Sequence, residues 1–398
     1  MTNTPLIEKI KSLSSEFFRE VNQNRQYLHQ HPELSFEEFN TSKFVQDQLD
    51  KIGIPWKIMA NTGVIAELTG DIPSQEVIAL RADMDALPIQ EVEGRPYGSQ
   101  NPGVMHACGH DVHTASLLGT VKILHQLKAH FKGTVKFIFQ PAEERVPGGA
   151  NLLIQEGVLK DPAPAHVIGQ HVMPLIDAGK VGFRSGRYMA STDELYVRIK
   201  GKGGHGAQPQ QNIDPVVITA HIITALQQIV SRVADPRMPS VLSFGKVIAN
   251  GATNVIPDEV YLEGTFRTFN ADWREKAHVK MKQMAEGIAE SMDAECAFEI
   301  RKGYPALVND EALTATIRTY AEEYLGKENV IDLDLWMAAE DFAYYSQALP
   351  SCFYRLGTRN EEKGITSAVH TPTFDIDESA LGISTGLMAY LTLKKLGN

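Results

Sequence analysis

The sequence predicts a two-domain α/β protein, in which an open α/β domain is interrupted by an inserted α+β unit of ferredoxin-like order. Three observations carry this. The 398 residues exceed one ordinary core, since domains hold ~100 to 200 residues. Before Arg187, apolar strand-like runs alternate with helical periodicity, and each run ends in acids or a histidine. After it, the pattern shifts to half-buried alternation in the order β-α-β-β-α-β. The expected boundaries are residues 1–187 and 303–398 for the first domain and 188–302 for the insertion.

Taken in order, Ile7 to Leu28 and Phe36 to Ile52 carry apolar residues at three- and four-residue spacings and read as helices separated at Pro32. His29 and His31 flank that break and read as capping or surface groups. Glu76 to Ala82, Thr134 to Gln140 and Ala165 to Gly169 are apolar and β-branched enough for buried strands. They deliver Asp83-Met84-Asp85, Pro141-Ala142-Glu143-Glu144 and Gln170-His171 at their C-terminal ends. Val112 to Phe131 reads as a helix with Asp111 as its N-cap. Polar groups gathered at strand C-termini place a site in the crevice of the open sheet. In the insertion, Leu195, Val197 and Ile199 alternate as a strand, followed by a helix from Asp214 to Val233. Strands at Val241 to Ala249 and Val260 to Thr268, a helix from Asp272 to Met292 and a strand at Ala297 to Arg301 complete it. Helices from Glu311 to Leu325 and from Glu378 to Leu396 belong to the returning first domain.

Composition narrows the function classes. A formal net charge of -11 with 43% hydrophobic residues argues against nucleic acid or an anionic membrane as partner and favours a small molecule. Met1 to Phe18 mixes charges into its apolar positions and does not read as a signal peptide. The most apolar stretch, Val216 to Val230, reads as too polar and too short for a bilayer. Cys108, Cys296 and Cys352 form no disulfide framework and fit a reducing cytoplasm, the latter two as small core residues.

The chemistry concentrates in Met105 to Thr114, where Cys108 and the imidazoles of His106, His110 and His113 fall on one loop. Thiolate and neutral imidazole are preferred ligands of zinc and its neighbours. With the strand ends, the candidate donors are Cys108, His110, Glu143, Glu144, His171 and His370. One zinc-type ion needs about four ligands. Two ions sharing a ligand would use the whole set, an arrangement suited to amide or ester hydrolysis. Adjacent side chains leaving a strand point to opposite sides, so one of Glu143 and Glu144 can bind metal while the other acts as a base. Gly201 to Pro209 lacks the ending of a phosphate loop. It reads either as a flexible turn or as a loop presenting His205 to a substrate.

Five motifs, in order along nearly the whole chain, resemble the M20 metallopeptidases: Arg81 to Pro88, Met105 to Thr114, Gln140 to Glu144, Gly203 to Pro209 and His370-Thr371-Pro372. Within that family they are most similar to the branch of N-acyl-L-amino-acid amidohydrolases, hippurate hydrolases and auxin-conjugate hydrolases. The resemblance implies a catalytic open α/β domain and an insertion that serves as lid and dimerisation domain; a lid carrying His205 and Arg267 must approach the metals to close on substrate, which predicts an open and a closed state hinged near Arg187 and Gly303. It implies two divalent ions (Zn, Ni, Co or Mn) bridged by Cys108, with Glu144 and His370 completing one sphere and His110 and His171 the other. Glu143 is implied as general base and His205 as the group that stabilises the oxyanion. Asn254 and Arg267 would hold the carboxylate of the amino-acid half, and Asp85 would orient a ligand. His106 and His113 are then left to packing or ligand support. Most of the wider family has His-x-Asp and a bridging Asp where this chain has Asp83-Met84-Asp85 and Cys108, a change the amidohydrolase branch shares.

The expected activity is therefore metal-dependent hydrolysis of N-acetyl, N-benzoyl or similar amino acids, by a cytoplasmic monomer, homodimer or homotetramer. A dipeptidase or carboxypeptidase of the same family is the nearest alternative. An amidase with Cys108 as nucleophile and a non-catalytic receptor are further readings.

Overall fold

The computed structural model describes residues 4–397. They form two compact units: one runs from the N-terminus to Gly186 and includes Val308–Asp334 and the chain from Asp341 onward, and the other comprises Arg187–Leu307 and Leu335–Glu340.

An eight-stranded mixed sheet is the frame of the first unit. Its four central strands, in the order Lys132–Gln140, Ile72–Asp83, His166–Asp177 and Ser351–Arg359, are parallel. Their inward residues, including Leu80, Phe137, Phe139, Ile168 and Tyr354, are fully buried, as expected of strands covered on both faces. Thr4–Gln30 buries Ile10, Leu13, Phe17, Val21 and Leu28 into a core shared with His110–Gln126 and Ser379–Leu396. That first helix stops short of Pro32, whose ring disfavours helical geometry in the residue before it. Cys352 is buried and Cys296 half-buried, and all three cysteines are free.

Register explains why the strand ends converge. Asp83 pairs with Gln140, Arg81 pairs with Gly169, and His171 pairs with Arg355. Gln140, Asp83, His171 and Arg355 therefore line up across neighbouring strands at one level of the sheet. The third strand does not end before His171, as its apolar run predicts, but continues to Asp177.

Other local expectations are corrected. Asp111 is not an N-cap: the helix starts at His110 after Gly109, and Asp111 lies fully buried in the first turn. His29 is neither exposed nor a cap, but is buried between Asp111 and Glu91. The second helix begins at Phe39, because Phe36 adopts a left-handed φ of 70° that keeps the preceding turn out of the helix.

The second unit holds a four-stranded antiparallel sheet in the order Ser240–Ile248, Glu259–Thr268, Asp193–Lys200, Glu295–Lys302. In chain order, with Pro215–Gln228 and Ala271–Ser291, it is β-α-β-β-α-β. Leu195, Val197 and Ile199 face a core made with Ile218, Ile222 and Leu226 of one helix and Ala277, Met281, Ala285 and Ala289 of the other. Asp214 and Asn270 cap the two helices by accepting from Val216, Val217 and Trp273 N–H groups. Pro215–Val233, its last turn a π-helix, is by length and composition long and apolar enough to cross a bilayer, which corrects the reading of that segment as too short. Ile218, Ile222, Leu226 and Ile229 are spent on the sheet, while Val216 and Val217 stay exposed. Chain entry and exit meet, because Gly303 N–H donates to Thr192 O at 2.9 Å. Arg274 ties both ends down, donating to Thr192 O, Gly303 O and the buried Asp193 carboxylate.

Candidate metal centre and active site

The loop entering His110–Gln126 turns on Gly109, whose φ of +84° places Cys108 and His110 on the same side. A side chain there would meet Val172 Cγ2 at 2.5 Å, so only glycine fits. Cys108 Sγ lies 3.4 Å from His171 Nε2 and 3.3 Å from His370 Nε2. Glu144 Oε1 is 3.3 Å from that His370 nitrogen and 4.0 Å from His110 Nε2. Cys108, His110 and His171 form one group of donors within ligating reach of each other, and Cys108, Glu144 and His370 form a second. The five sequence-derived donors are thus brought together, with Cys108 common to both groups.

Each imidazole is aimed by its other nitrogen. His110 Nδ1 lies 2.9 Å from Asp85 O and 3.1 Å from Asp85 Oδ1. His171 Nδ1 donates to Val172 O at 2.8 Å, and Val172 N–H in turn donates to His113 Nε2 at 2.9 Å. His113 is closed off by Asp83, 2.5 Å from its Nδ1. Such outer contacts fix the tautomer so that Nε2 presents its lone pair to a cation. His113 therefore supports His171 rather than competing with it.

The donor set fits divalent metal. His110 Nε2 is buried without a hydrogen-bond partner, and carboxylate oxygens of Asp83, Glu143 and Glu144 stand 3.7, 3.9 and 4.0 Å away. Burial alone would lower this imidazole's pKa, but Asp83, Asp85 and Glu144 push it up to about 10, so the acids demand a cation there. Burial, reinforced by Arg355 and His113, drives His171 well below its ordinary value and leaves it a neutral donor. Burial, then Glu144, Glu143 and Asp83, raises the Cys108 thiol well above its usual range. That is the opposite of what a self-sufficient cysteine nucleophile requires, and it argues against the amidase with Cys108 as nucleophile.

Glu143 leaves the same turn as Glu144 on a different path, its carboxylate accepting from Asp341 N–H at 3.4 Å. The turn itself is held through its backbone. Asp85 Oδ1 accepts Glu143 N–H at 3.0 Å and Oδ2 accepts Glu144 N–H at 2.9 Å, while Ser35 Oγ donates at 2.6 Å. Asp85 thus orients His110 and both glutamates at once. Glu38, which the sequence did not single out, accepts Ala142 N–H at 2.8 Å and Thr62 Oγ1 at 2.7 Å. Ala142 has a φ of 51°, a conformation that needs such support. Asp341 was also missed. Its carboxylate is clamped by Arg81 Nη2 at 2.7 Å, Gln140 Nε2 at 2.8 Å and Ala150 N–H at 2.9 Å.

Burial, then the neighbouring Asp85, pushes Glu38 up to about 7 from an ordinary 4.5. A raised folded-state pKa means that folding retains the proton, so its stabilisation is complete below 4.5 and is lost as pH rises through about 7. Glu38→Gln is expected to lack this decline in a series of urea midpoints taken across that window. Glu38→Ala is expected to lose about 1–3 kcal/mol by stranding the Ala142 N–H.

In the second unit, His205 and Asn254 sit on adjoining sides of a short ribbon, His205 pairing with Val255 and Gly206 N–H donating to Asn254 O. His205 is exposed and accepts from Ala207 N–H through Nδ1. Arg267 lies on a different sheet, half-buried, with Nη1 donating to Met337 O. Among the described residues it makes no ion pair, and burial lowers its pKa.

The chain matches the model of peptidase family M20/M25/M40 over residues 79–393. It is 46% identical over 303 residues to an N-acyl-L-amino acid amidohydrolase of Geobacillus stearothermophilus, covering 76% of this chain and 81% of that protein. With an N-acetyl-L-cysteine deacetylase of Bacillus subtilis it shares 41% identity over 373 residues, 94% of this chain and 87% of the other. The solved structure of a Bacillus subtilis protein described as a dinuclear metal binding peptidase from the M20 family superposes with a TM-score of 0.80 at 36% identity, over 96% of this chain and 99% of that one. By family match, by identity along most of its length and by fold, this chain belongs to peptidase family M20/M25/M40 and is a hydrolase of that family.

Proposed function

We propose that this protein hydrolyses the amide bond of N-acyl amino acids, acetyl, benzoyl or similar, to a carboxylate and a free amino acid. The observation that carries the reading is Cys108 Sγ standing between His171 Nε2 and His370 Nε2, with Glu143 on the same turn as the donor Glu144. Cys108, Glu144 and His370 would hold one divalent ion and Cys108, His110 and His171 a second, zinc, nickel, cobalt or manganese. When bound, the ions supply Lewis-acid polarisation of the scissile carbonyl and a water acidic enough to lose its proton near neutrality.

The chain's own groups do the rest. Glu143 takes the proton of the attacking water and returns it to the leaving nitrogen, a role for which its buried place between Asp85-held backbone and the Asp341 N–H fixes it. His205 stabilises the developing oxyanion. Arg267, a half-buried guanidinium without an ion pair, offers its fork to the amino-acid carboxylate, and Asn254 adds an amide. The three free cysteines suit a reducing cytoplasm, which we propose as its compartment. Exposed Val247 and Ile248 on the outer strand of the second unit, and Val216 and Val217 on its helix, favour a homodimer or homotetramer formed through that unit.

The test is a hydrolysis screen over N-acetyl, N-benzoyl and N-succinyl amino acids, diaminopimelate derivatives and short dipeptides, each with zinc, nickel, cobalt and manganese. N-acyl amino acids are expected to be cleaved fastest. Preference for dipeptides would assign the protein to the peptidase side of the family. Full activity after chelation would overturn the metal assignment.

A further inference from the structure

His370 reaches the centre from a stretch between Arg359 and Ser379 that has no helix or strand, and its side chain is 51% exposed. Something other than regular structure must set its distance from Cys108. One direct tie is His370 N–H donating to Ala107 O at 2.7 Å. The other passes through a fully buried guanidinium. Arg25 Nε lies 2.8 Å from Asp111 Oδ2, and Arg25 Nη2 lies 2.9 Å from Asp375 Oδ1. Asp111 follows His110 directly, and Asp375 sits a few residues beyond His370. One rigid fork thus spans the two chain segments that carry the donors.

The fork is braced on both sides. Tyr97 packs 4.8 Å from the Arg25 guanidinium and donates to Asp375 Oδ2 at 2.8 Å. His29 sits between Asp111 Oδ2 at 2.9 Å and Glu91 Oε1 at 3.0 Å. Arg95 joins Glu91 at 2.5 Å to Asp375 at 3.5 Å. Val92 N–H donates to Pro372 O at 3.2 Å, next to the ligand histidine's own turn. A buried network of this kind stabilises little in net terms, but removing one partner leaves another charge buried and uncompensated.

We propose that Arg25 and Asp375 are positioning residues for the ion shared by Cys108, Glu144 and His370, setting the His370 segment against the Cys108 turn. This rests on the ligand assignment proposed above. Arg25 also holds Asp111 beside His110, whereas Asp375 lies only on the His370 side of the fork, so removing the Asp375 charge bears first on the ion that His370 completes. Asp375→Asn keeps the shape and removes the charge that Arg25 grips. In metal-free protein titrated with zinc against a chromophoric chelator, wild type is expected to bind two ions. His370→Ala is expected to bind one tightly. Asp375→Asn is expected to bind one at wild-type affinity and the second about 10- to 100-fold more weakly, with turnover recovering at excess zinc. Tyr97→Phe, which removes one hydrogen bond and no charge, is expected to weaken the same ion by a smaller factor and serves if Asp375→Asn fails to fold. Two ions at wild-type affinity in folded Asp375→Asn, beside one in His370→Ala, would overturn the inference and leave the ligand assignment standing. Equal weakening of both ions would overturn it as well. Two tight ions in His370→Ala would sink the ligand assignment and the inference together.

Discussion

Replacing Glu143 by alanine is expected to lower turnover by about three orders of magnitude, while zinc content and affinity for a product amino acid stay near wild type. General base catalysis contributes ~10²- to 10⁴-fold, and Glu143 stands outside both donor groups that contain Cys108. Its backbone N–H bond to Asp85 survives truncation, so the neighbouring Glu144 should keep its place. Glu143→Gln separates charge from shape, since it preserves volume and the contact with Asp341 N–H but cannot take a proton. Steady-state kinetics beside metal analysis on the same preparations decides the matter. Unchanged turnover in either variant would remove Glu143 from the mechanism, and lost metal would make it a ligand.

The second large effect is expected at Cys108. Cys108→Ala should reduce metal content close to zero and turnover to background, because Sγ belongs to both donor groups. Cys108→Asp should retain part of both, since a carboxylate restores an anionic donor reaching two neighbours, whereas Cys108→Ser should not. Alkylation distinguishes this from covalent catalysis. A thiolate held by cations is expected to be protected from iodoacetamide while metal is present and exposed after chelation. A thiol trapped equally fast in both states would favour the nucleophile instead.

Cys108 and His110 were legible in the sequence because a thiol and three imidazoles crowd one short loop, and Glu144, His171 and His370 because they stand at the ends of apolar runs or in motifs that accompany that loop. By side-chain type and position together, these donors announce their chemistry. What holds them does not. Glu38 acts on the backbone N–H of Ala142, and Asp341 offers its own N–H to Glu143, so neither differs in sequence from an ordinary surface acid. Arg25 and His29 look like one polar face of an amphipathic helix, and only burial against Asp111 gives them meaning. Asp111 misleads for a related reason: an acid before an apolar run resembles a cap, but here the glycine before His110 takes the turn and the acid is drawn to a buried cation. The central strand Ser351–Arg359 carries the fully buried Arg355, Gly357 and Thr358, which blurs its apolar signal. The alternating strands of the second unit were easier, since a sheet covered on one face writes its period directly.

The meeting of Thr192 and Gly303 across one hydrogen bond has a consequence for how this chain could have arisen and could be changed. A segment whose two ends already touch adds almost no closure entropy to the host that carries it, because that cost depends on the gap to be bridged. The stretch between them carries its own four-stranded sheet, and the only outside segment that joins its unit among the described residues is Leu335–Glu340, so changes in its length fall outside the strands of the eight-stranded sheet. Arg274, gripping both ends from within that stretch, is its clasp. Selection on the residues it displays, His205, Asn254 and Arg267 among them, can then proceed apart from selection on the donors around Cys108.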